Sequence, residues 1–314
     1  MKDAYAHDLL VGIAIGDAIG VPVEFTSKEE RKALPVKDMQ AFGTHNQPAG
    51  TWSDDTSLTL CLAEAILTDF SLRHIADQFI AWRDQAFWTA HGEVFDIGIS
   101  TNQAILRLKD TSLPPELAGG MEEMDNGNGS LMRIAPLSLL IKDLELNDRY
   151  SYNAKVSSLT HGHFRSIFSC FFLNELLLQL GEGKGKREAY EEAIFIVQEW
   201  IGLNNPSPEE ITHFDSILSG RIDQVAESDI RGSGYVLHSL QASLWCWLKT
   251  DNYEDAVLMA VNLGEDTDTT GAITGAIAGV TYGLNSIPKK WVDQLARKRD
   301  IIKLADRLQA RFIF

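Results

Sequence analysis

The sequence predicts an all-α protein, folded as a single compact multi-helix domain over residues 1–314. Three observations lead there. Apolar residues recur at helical spacing along almost the whole chain, as over 57–67 and again at Ala76, Phe79 and Ile80. Alternating β-branched runs are missing, and the turn dipeptide Asn126-Gly127 lacks strand-like flanks. Two acidic, hydroxyl-rich stretches, Thr51-Trp52-Ser53-Asp54-Asp55-Thr56 and Gly264-Glu265-Asp266-Thr267-Asp268-Thr269-Thr270, stand near opposite ends of the chain and each opens a helix. A site shared between them needs one compact domain. No internal repeat and no Pro- or Ser-rich linker divides the chain.

A first helix is expected over 3–19, stopped by Gly20 and Pro22. Glu24 follows in a loop, with a short polar helix over 27–33. The segment 36–50, with Gly43, Asn46, Pro48 and Gly50, reads as loop. Ser53 is a natural N-cap for a helix over 54–68, and Ser71 for one over 72–87. A helix over 96–108 precedes a glycine-rich loop, 119–129, and a helix over 130–141. Further helices are expected over 147–159, 163–180, 187–201, 209–218, 233–249, 253–262, 266–283 and 288–310.

The formal net charge is −16, from 28 basic and 44 acidic residues. Such a surface argues against sequence-independent binding to nucleic acid or to anionic lipid, and it suits a cation site. Cys61, Cys170 and Cys246 lie in apolar helical runs without a CxxC pair, which reads as reduced, packed side chains of a cytoplasmic protein and not as a zinc site. The first residues show no basic segment leading into a long apolar core, so no signal peptide is expected. No uninterrupted apolar run reaches the ~18 residues that span a bilayer.

Asp54 and Asp55 in a first helical turn suit the helix dipole, and one such pair needs no further reason. A second copy at Asp266 and Asp268 changes the weighing. The helix they open is rich in small residues, among them Gly271, Gly275 and Gly279. Glycine costs roughly 1 kcal/mol against alanine inside a helix, so several suggest close approach of another helix and a buried, central position. Two carboxylates at the end of a buried helix need a counter-charge, either a metal ion or a pair of basic residues. No basic residue is close in sequence, and all-oxygen ligands suit Mg²⁺ or Mn²⁺. In 125–130 the alternating glycines permit tight turns before a helix start, where free amides bind phosphate; an ordinary loop-to-helix junction looks the same. Arg133 strengthens that reading or pairs with a buried carboxylate. His161, beside Gly162, is a structural residue or a ligand contact. Tyr235, after Gly234, stacks on a base or packs.

Gly16-Asp17-Ala18-Ile19-Gly20 through Glu24, Gly50 to Thr56, Asn128-Gly129-Ser130-Leu131-Met132-Arg133, Thr160-His161, Ser233-Gly234-Tyr235 and Gly264 to Thr269 together resemble the ADP-ribosylglycohydrolase family, in that family's order. The family includes the enzyme that removes ADP-ribose from dinitrogenase reductase. The resemblance implies an all-α fold around two Mg²⁺ or Mn²⁺ ions and hydrolysis of the bond at C1″ of ADP-ribose attached to a protein. Ser53, Asp54, Asp55, Asp266, Asp268 and Thr269 match its metal ligands. Glu24 matches a carboxylate near the metals with gating and catalytic roles. Asn128, Gly129, Ser130, His161, Gly234 and Tyr235 match positions that hold ADP-ribose. Asp96 resembles an acidic position near the leaving group in arginine-specific members; its other reading is a cap for the helix running to Leu108. The expected enzyme releases ADP-ribose from an ADP-ribosylated protein, arginine favoured, with Asp54, Asp55 or Glu24 as proton acceptor. The alternatives are action on serine or another acceptor, a non-catalytic ADP-ribose-binding descendant, or another helical carboxylate-metal enzyme acting on diphosphates. Ser53 stands where the family often has Thr, and Glu265 where it often has Gly.

Overall fold

A computed structural model describes residues 1–68 and 70–313 of the chain. Its α-helices are α1 (Tyr5–Gly20), α2 (Lys28–Ala33), α3 (Asp54–Ile66), α4 (Leu72–Gln85), α5 (Ile99–Leu108), α6 (Leu137–Ile141), α7 (Leu146–Ser157) and α8 (Phe164–Gly181). They continue with α9 (Lys186–Asn204), α10 (Pro208–Thr212), α11 (Asp215–Leu218), α12 (Val236–Lys249), α13 (Tyr253–Val261), α14 (Thr267–Tyr282), α15 (Lys289–Gln294) and α16 (Lys298–Phe312). Among the described residues no sheet forms. Three isolated bridges, Phe42 to Gln47, Gly120 to His161 and Gly127 to Tyr235, are the only β-type pairings there.

At the centre α1 and α14 lie side by side in opposite directions, backbone against backbone. A Cβ on Gly12 would stand 2.4 Å from the Gly275 carbonyl oxygen, and one on Gly16 2.1 Å from that of Gly271. A Cβ on Gly20 would stand 2.3 Å from the Asp268 Cα, and one on Gly279 2.2 Å from the Asp8 carbonyl oxygen. Glycine every fourth residue keeps these bare positions on one face of each helix. The Thr267 hydroxyl, donating to the Gly20 carbonyl at 2.8 Å, ties the end of α1 to the start of α14. The small-residue helix is therefore central and buried as expected, and α1 is its partner.

The stretch Tyr5–Val23 has 19 residues and a mean hydropathy of 1.5, long and apolar enough to cross a bilayer by length and composition. Here 94% of that window is buried inside the protein. Asp8 and Asp17 interrupt its apolar run.

Three expected helices come out differently. The one over 130–141 is broken: Leu131–Arg133 form a single 3-10 turn and α6 begins only after Pro136. Proline offers no N–H and disfavours helical geometry in the residue before it. The helix over 209–218 splits at His213 and Phe214, which lets the Phe214 ring enter the core 4.7 Å from that of Phe168. The helix over 288–310 splits at Leu295–Arg297. There the Ala296 N–H donates to the Gly50 carbonyl, its carbonyl accepts from the Trp52 indole, and Arg297 takes a φ of +51°.

Gly16→Ala should destabilise the protein by about 1–3 kcal/mol or more, because the added methyl meets backbone that cannot give way. Gly202→Ala, at an exposed position of α9 with nothing within 4 Å of the new Cβ, should instead stabilise by up to about 1 kcal/mol. Urea unfolding of the two variants, followed by circular dichroism, checks the opposite signs.

Candidate active site

The site starts from a carboxylate in the last turn of α1. Asp17 is fully buried, with both oxygens accepting from the Ser53 N–H at 2.9 and 3.1 Å. Its Oδ2 also accepts from the Thr56 N–H at 3.0 Å and the Thr56 hydroxyl at 2.5 Å. Asp17 thus satisfies amides at the open end of α3 from a neighbouring helix. Burial pushes its carboxyl up to about 7, with the hydrogen bonds from Thr56 and Ser53 pulling the other way. Sequence reading included Asp17 in a motif and gave it no role. The available signal was a charged group inside an apolar helix, which has to find a partner.

With those amides served, the first-turn carboxylates of α3 are free for other work. Ser53 is the N-cap, accepting from the Asp55 N–H at 3.3 Å, and its hydroxyl donates to Asp55 Oδ2 at 3.1 Å. The Thr269 hydroxyl reaches the same oxygen from α14 at 3.4 Å, so the two acidic helix starts meet. Asp266 is the N-cap residue of α14 but makes no capping bond; its Oδ2 accepts from the Asn128 amide at 2.9 Å. Asp268 Oδ1 accepts from the Thr269 N–H at 2.9 Å. Glu24 arrives from the turn that follows α1. Oxygens of Glu24, Asp266 and Asp268 lie within 4.8 Å of one another.

Asp55 Oδ1, Asp266 Oδ1 and Asp268 Oδ2 are buried without a hydrogen-bond partner. Among the described residues no lysine or arginine pairs with these three groups, with Asp54 or with Glu24. The alternative of a basic counter-charge therefore fails, and an all-oxygen donor set with orphaned carboxylate oxygens fits a hard divalent cation. The electrostatics agree. Burial first, and then the neighbouring acids, push the carboxyls of Asp54, Asp55 and Asp268 well up. Burial followed by the charges of Asp96 and Asp266 pushes Glu24 up to about 11, and burial raises Asp266.

A cavity of about 430 Å³ opens onto this cluster. Glu24, Asp54, Asp55, Asp266 and Thr269 line it, with Gly127, Asn128, Gly129, His161 and Gly234 on the glycine-loop side and Asp96 to Thr101 completing the wall. Four expected site residues are not in that wall. Ser53 and Asp268 are almost fully buried within the acidic cluster. Ser130 turns inward, its hydroxyl accepting from Ser157 at 2.9 Å. The Tyr235 hydroxyl accepts from Arg165 at 3.4 Å, and its ring lies edge-on to His238.

The glycine loop is shaped by close approach. A Cβ on Gly129 would sit 2.7 Å from the Thr101 hydroxyl and 2.8 Å from Cε1 of His161. Because only a 3-10 turn follows Ser130, no helix dipole points into the cavity there, which corrects the expected phosphate site at a helix start. Arg133 does not reach the cavity and pairs with no carboxylate. Its guanidinium lies 4.6 Å over the Phe79 ring and donates to the Thr160 hydroxyl at 2.7 Å. That hydroxyl, 2.9 Å from His161 Nδ1, has one proton left to give to the ring. His161 is then the neutral tautomer with its Nε2–H toward the loop, and burial together with the Arg133 charge lowers it to about 3.

Asp96 does not cap α5. Gly98 occupies the N-cap position, and Asp96, with a φ of +57°, lines the cavity. Beside it stands a residue that sequence reading missed. His45 Nε2 is 2.5 Å from Glu24 Oε2 and 3.9 Å from Asp96 Oδ1. Nothing in a loop of Gly, Asn and Pro marks that histidine in advance.

An all-helical body with an oxygen-rich, cation-suited centre under a substrate-sized cavity defines a helical hydrolase of the carboxylate-centred type. The chain belongs to the ADP-ribosylglycohydrolase family, whose model matches residues 3–313. The ADP-ribosylarginine hydrolase Tri1 of Serratia proteamaculans (strain 568) is 34% identical over 308 residues, spanning 96% of this chain and 78% of the relative. The ADP-ribosyl-[dinitrogen reductase] glycohydrolase of Rhodospirillum rubrum is 28% identical, spanning 96% and 94%. A solved chain described as "ADP-ribosylglycohydrolase-related protein complex" superposes with a TM-score of 0.79 at 30% identity, over 100% of both chains.

A carboxyl whose folded pKa lies above its unfolded value keeps a proton that the unfolded chain has already released. In EDTA, stability should therefore fall as pH rises from about 4 through the folded values, about 7 for Asp17 and about 11 for Glu24. Thermal unfolding in EDTA should show a lower Tm at pH 8 than at pH 5. Added Mg²⁺ should raise Tm more at pH 8, where the proton competes least.

Proposed function

We propose that the protein hydrolyses the bond between C1″ of ADP-ribose and an arginine side chain of a modified protein, at a centre of two divalent ions, Mg²⁺ or Mn²⁺. The observation that carries this reading is the set of three orphaned carboxylate oxygens, on Asp55, Asp266 and Asp268, beside the cavity. Ser53, Asp54, Asp55, Asp266, Asp268 and Thr269 would hold the ions. Divalent ions there supply charge neutralisation and a water of lowered pKa. Glu24, Asp54 or Asp55 takes the proton from the attacking water. The bare backbone of Gly127 and Gly129 and the neutral His161 form the wall against which the diphosphate lies, so binding energy remote from C1″ positions the reacting carbon. Asp96 faces the departing guanidinium, for which a carboxylate is a charge-assisted partner. The names of the relatives support the arginine linkage and an ADP-ribosylated protein as substrate. Three free, buried cysteines support a reducing compartment, the cytoplasm, as its setting.

Asp55→Ala and Asp268→Ala should each abolish release of ADP-ribose from an ADP-ribosylarginine substrate, as should EDTA on the unmodified protein. Both variants should remain folded by circular dichroism, since each removes one of several mutually repelling charges. Wild-type turnover by either variant at low metal would remove that residue from the centre.

The acceptor is tested by kcat/KM on two substrates that differ only in the ADP-ribosylated residue, arginine or serine. Losing a charge-assisted hydrogen bond costs about 1.5–3 kcal/mol, so Asp96→Asn should slow the arginine substrate roughly ten- to hundredfold. The serine substrate should change far less. Equal losses on both would refute the arginine contact and leave the hydrolase reading standing.

A further inference from the structure

A second cavity, of about 620 Å³, lies between α2, the C-terminal end of α12 and α13, and shares no lining residue with the acidic one. Its wall carries six charged side chains, and five of them are already engaged. Lys32 pairs with Glu227 at 3.2 Å. Asp251 pairs with Lys186 at 3.2 Å, and Asp255 accepts from the Asn252 amide at 2.7 Å. Lys249 lies 4.9 Å over the Trp245 ring. The sixth, Arg31, is 93% buried, and among the described residues its guanidinium meets no acceptor and no carboxylate; its Nε is sealed from solvent without a partner. A buried guanidinium lacking an acceptor is costly, and in this wall every other charge has been answered. The rest of the lining is mostly apolar, with Trp245, Leu258, Met259 and Leu263 beside the polar Thr250 and Asn262.

We infer that this cavity is a binding site for a small organic monoanion, a carboxylate on an apolar body. Because Nε is sealed, the two terminal nitrogens of Arg31 are the ones that meet a carboxylate, with two parallel N–H···O bonds. The apolar lining accounts for the body of the ligand, as pockets of this size are mostly apolar with a few placed polar groups. Glu227, Asp251 and Asp255 set the charge: one negative group is matched by Arg31, and a second would meet these acids.

Titration of the whole protein with 2-naphthoate, 2-naphthamide and acetate, by calorimetry, tests the site. We expect one site for 2-naphthoate, at least tenfold tighter than for either control. The amide keeps the body and loses the charge, whereas acetate does the reverse. Arg31→Gln should weaken 2-naphthoate at least tenfold, and Arg31→Lys less. Leu258→Trp, which narrows the cavity and leaves Arg31 in place, should also weaken it and keeps the test open if Arg31→Gln does not fold. Asp268→Asn, in the acidic cluster beneath the other cavity, should leave this affinity unchanged. Equal affinity for naphthoate and naphthamide, no saturation at 10 mM, undiminished binding to folded Arg31→Gln, or loss on Asp268→Asn would each overturn the inference.

Discussion

Everything at the acidic centre depends on two backbones touching. Side chains normally hold helices about 8–10 Å apart, and the glycines of α1 and α14 remove them from the contact. Gly20 can then lie against Asp268, and Thr267 can bond the last turn of α1. Four residues beyond Gly20, the chain places Glu24 within 4.8 Å of Asp266 and Asp268. One turn before Gly20, the same helix sends Asp17 across to α3. The contact sets the distances between three groups of carboxylates that are far apart in sequence, and a methyl anywhere along it would move all of them together.

That geometry would be useless if the carboxylates were consumed as helix caps, the commonest employment of an aspartate at a helix start. The structure divides the labour. Asp17 answers amides of α3, and Thr269 answers Asp268 with a single N–H, so one oxygen on each of Asp55, Asp266 and Asp268 is left over. Neutral donors, Asn128, Ser53 and Thr269, take the remaining bonds. Among the described residues no lysine or arginine pairs with the cluster, and His45 meets it only at Glu24. Even Arg133, buried a short distance away, is turned onto Phe79 and Thr160, where it fixes the His161 ring without neutralising an acid. The cluster is consequently suited to a cation and a source of instability when bare, for the same electrostatic reason.

How much of this is legible in sequence follows from what each feature leaves behind in composition. The paired acids of Asp54-Asp55 and Asp266-Asp268 are visible because each pair lies among hydroxyls at the start of an apolar helix, and the glycines of α14 because glycine inside a helix is costly. The proposed ligand set rests on those two patterns and the family resemblance. His45, Asp17 as an anchor, and the inward turn of Ser130 leave no such trace. Each depends on which side chain a distant element presents, as when Ser157 on α7 claims the Ser130 hydroxyl. The broken helix after Ser130 was within reach, since Pro136 marks it, but the apolar spacing of Leu131 to Ile141 outweighed a single proline.

The mouth of the cavity shows why backbone conformation was the least legible part. Phe25, Phe42, Asn46, Asp96 and Glu265 all have positive φ, the region that favours glycine, at roughly 1–3 kcal/mol each. Four of them stand on the loops that carry Glu24, His45 and Asp96, so strain is concentrated where side chains must be aimed. Glu265 explains the remaining anomaly. Its φ of +63° makes glycine the natural occupant, which is what the family resemblance leads one to expect there. A glutamate is held in that conformation by two backbone bonds of 2.7 Å, from the Phe25 N–H to its carbonyl and from its own N–H to the Thr26 carbonyl. Because that pairing fixes the chain between Gly264 and Asp266, the side chain is free to point outward. Glu265 is exposed and absent from the cavity wall. Its charge therefore lies outside the proposed ligand set, and the local geometry is dictated by the neighbouring backbone of Phe25 and Thr26, not by the residue's own preference.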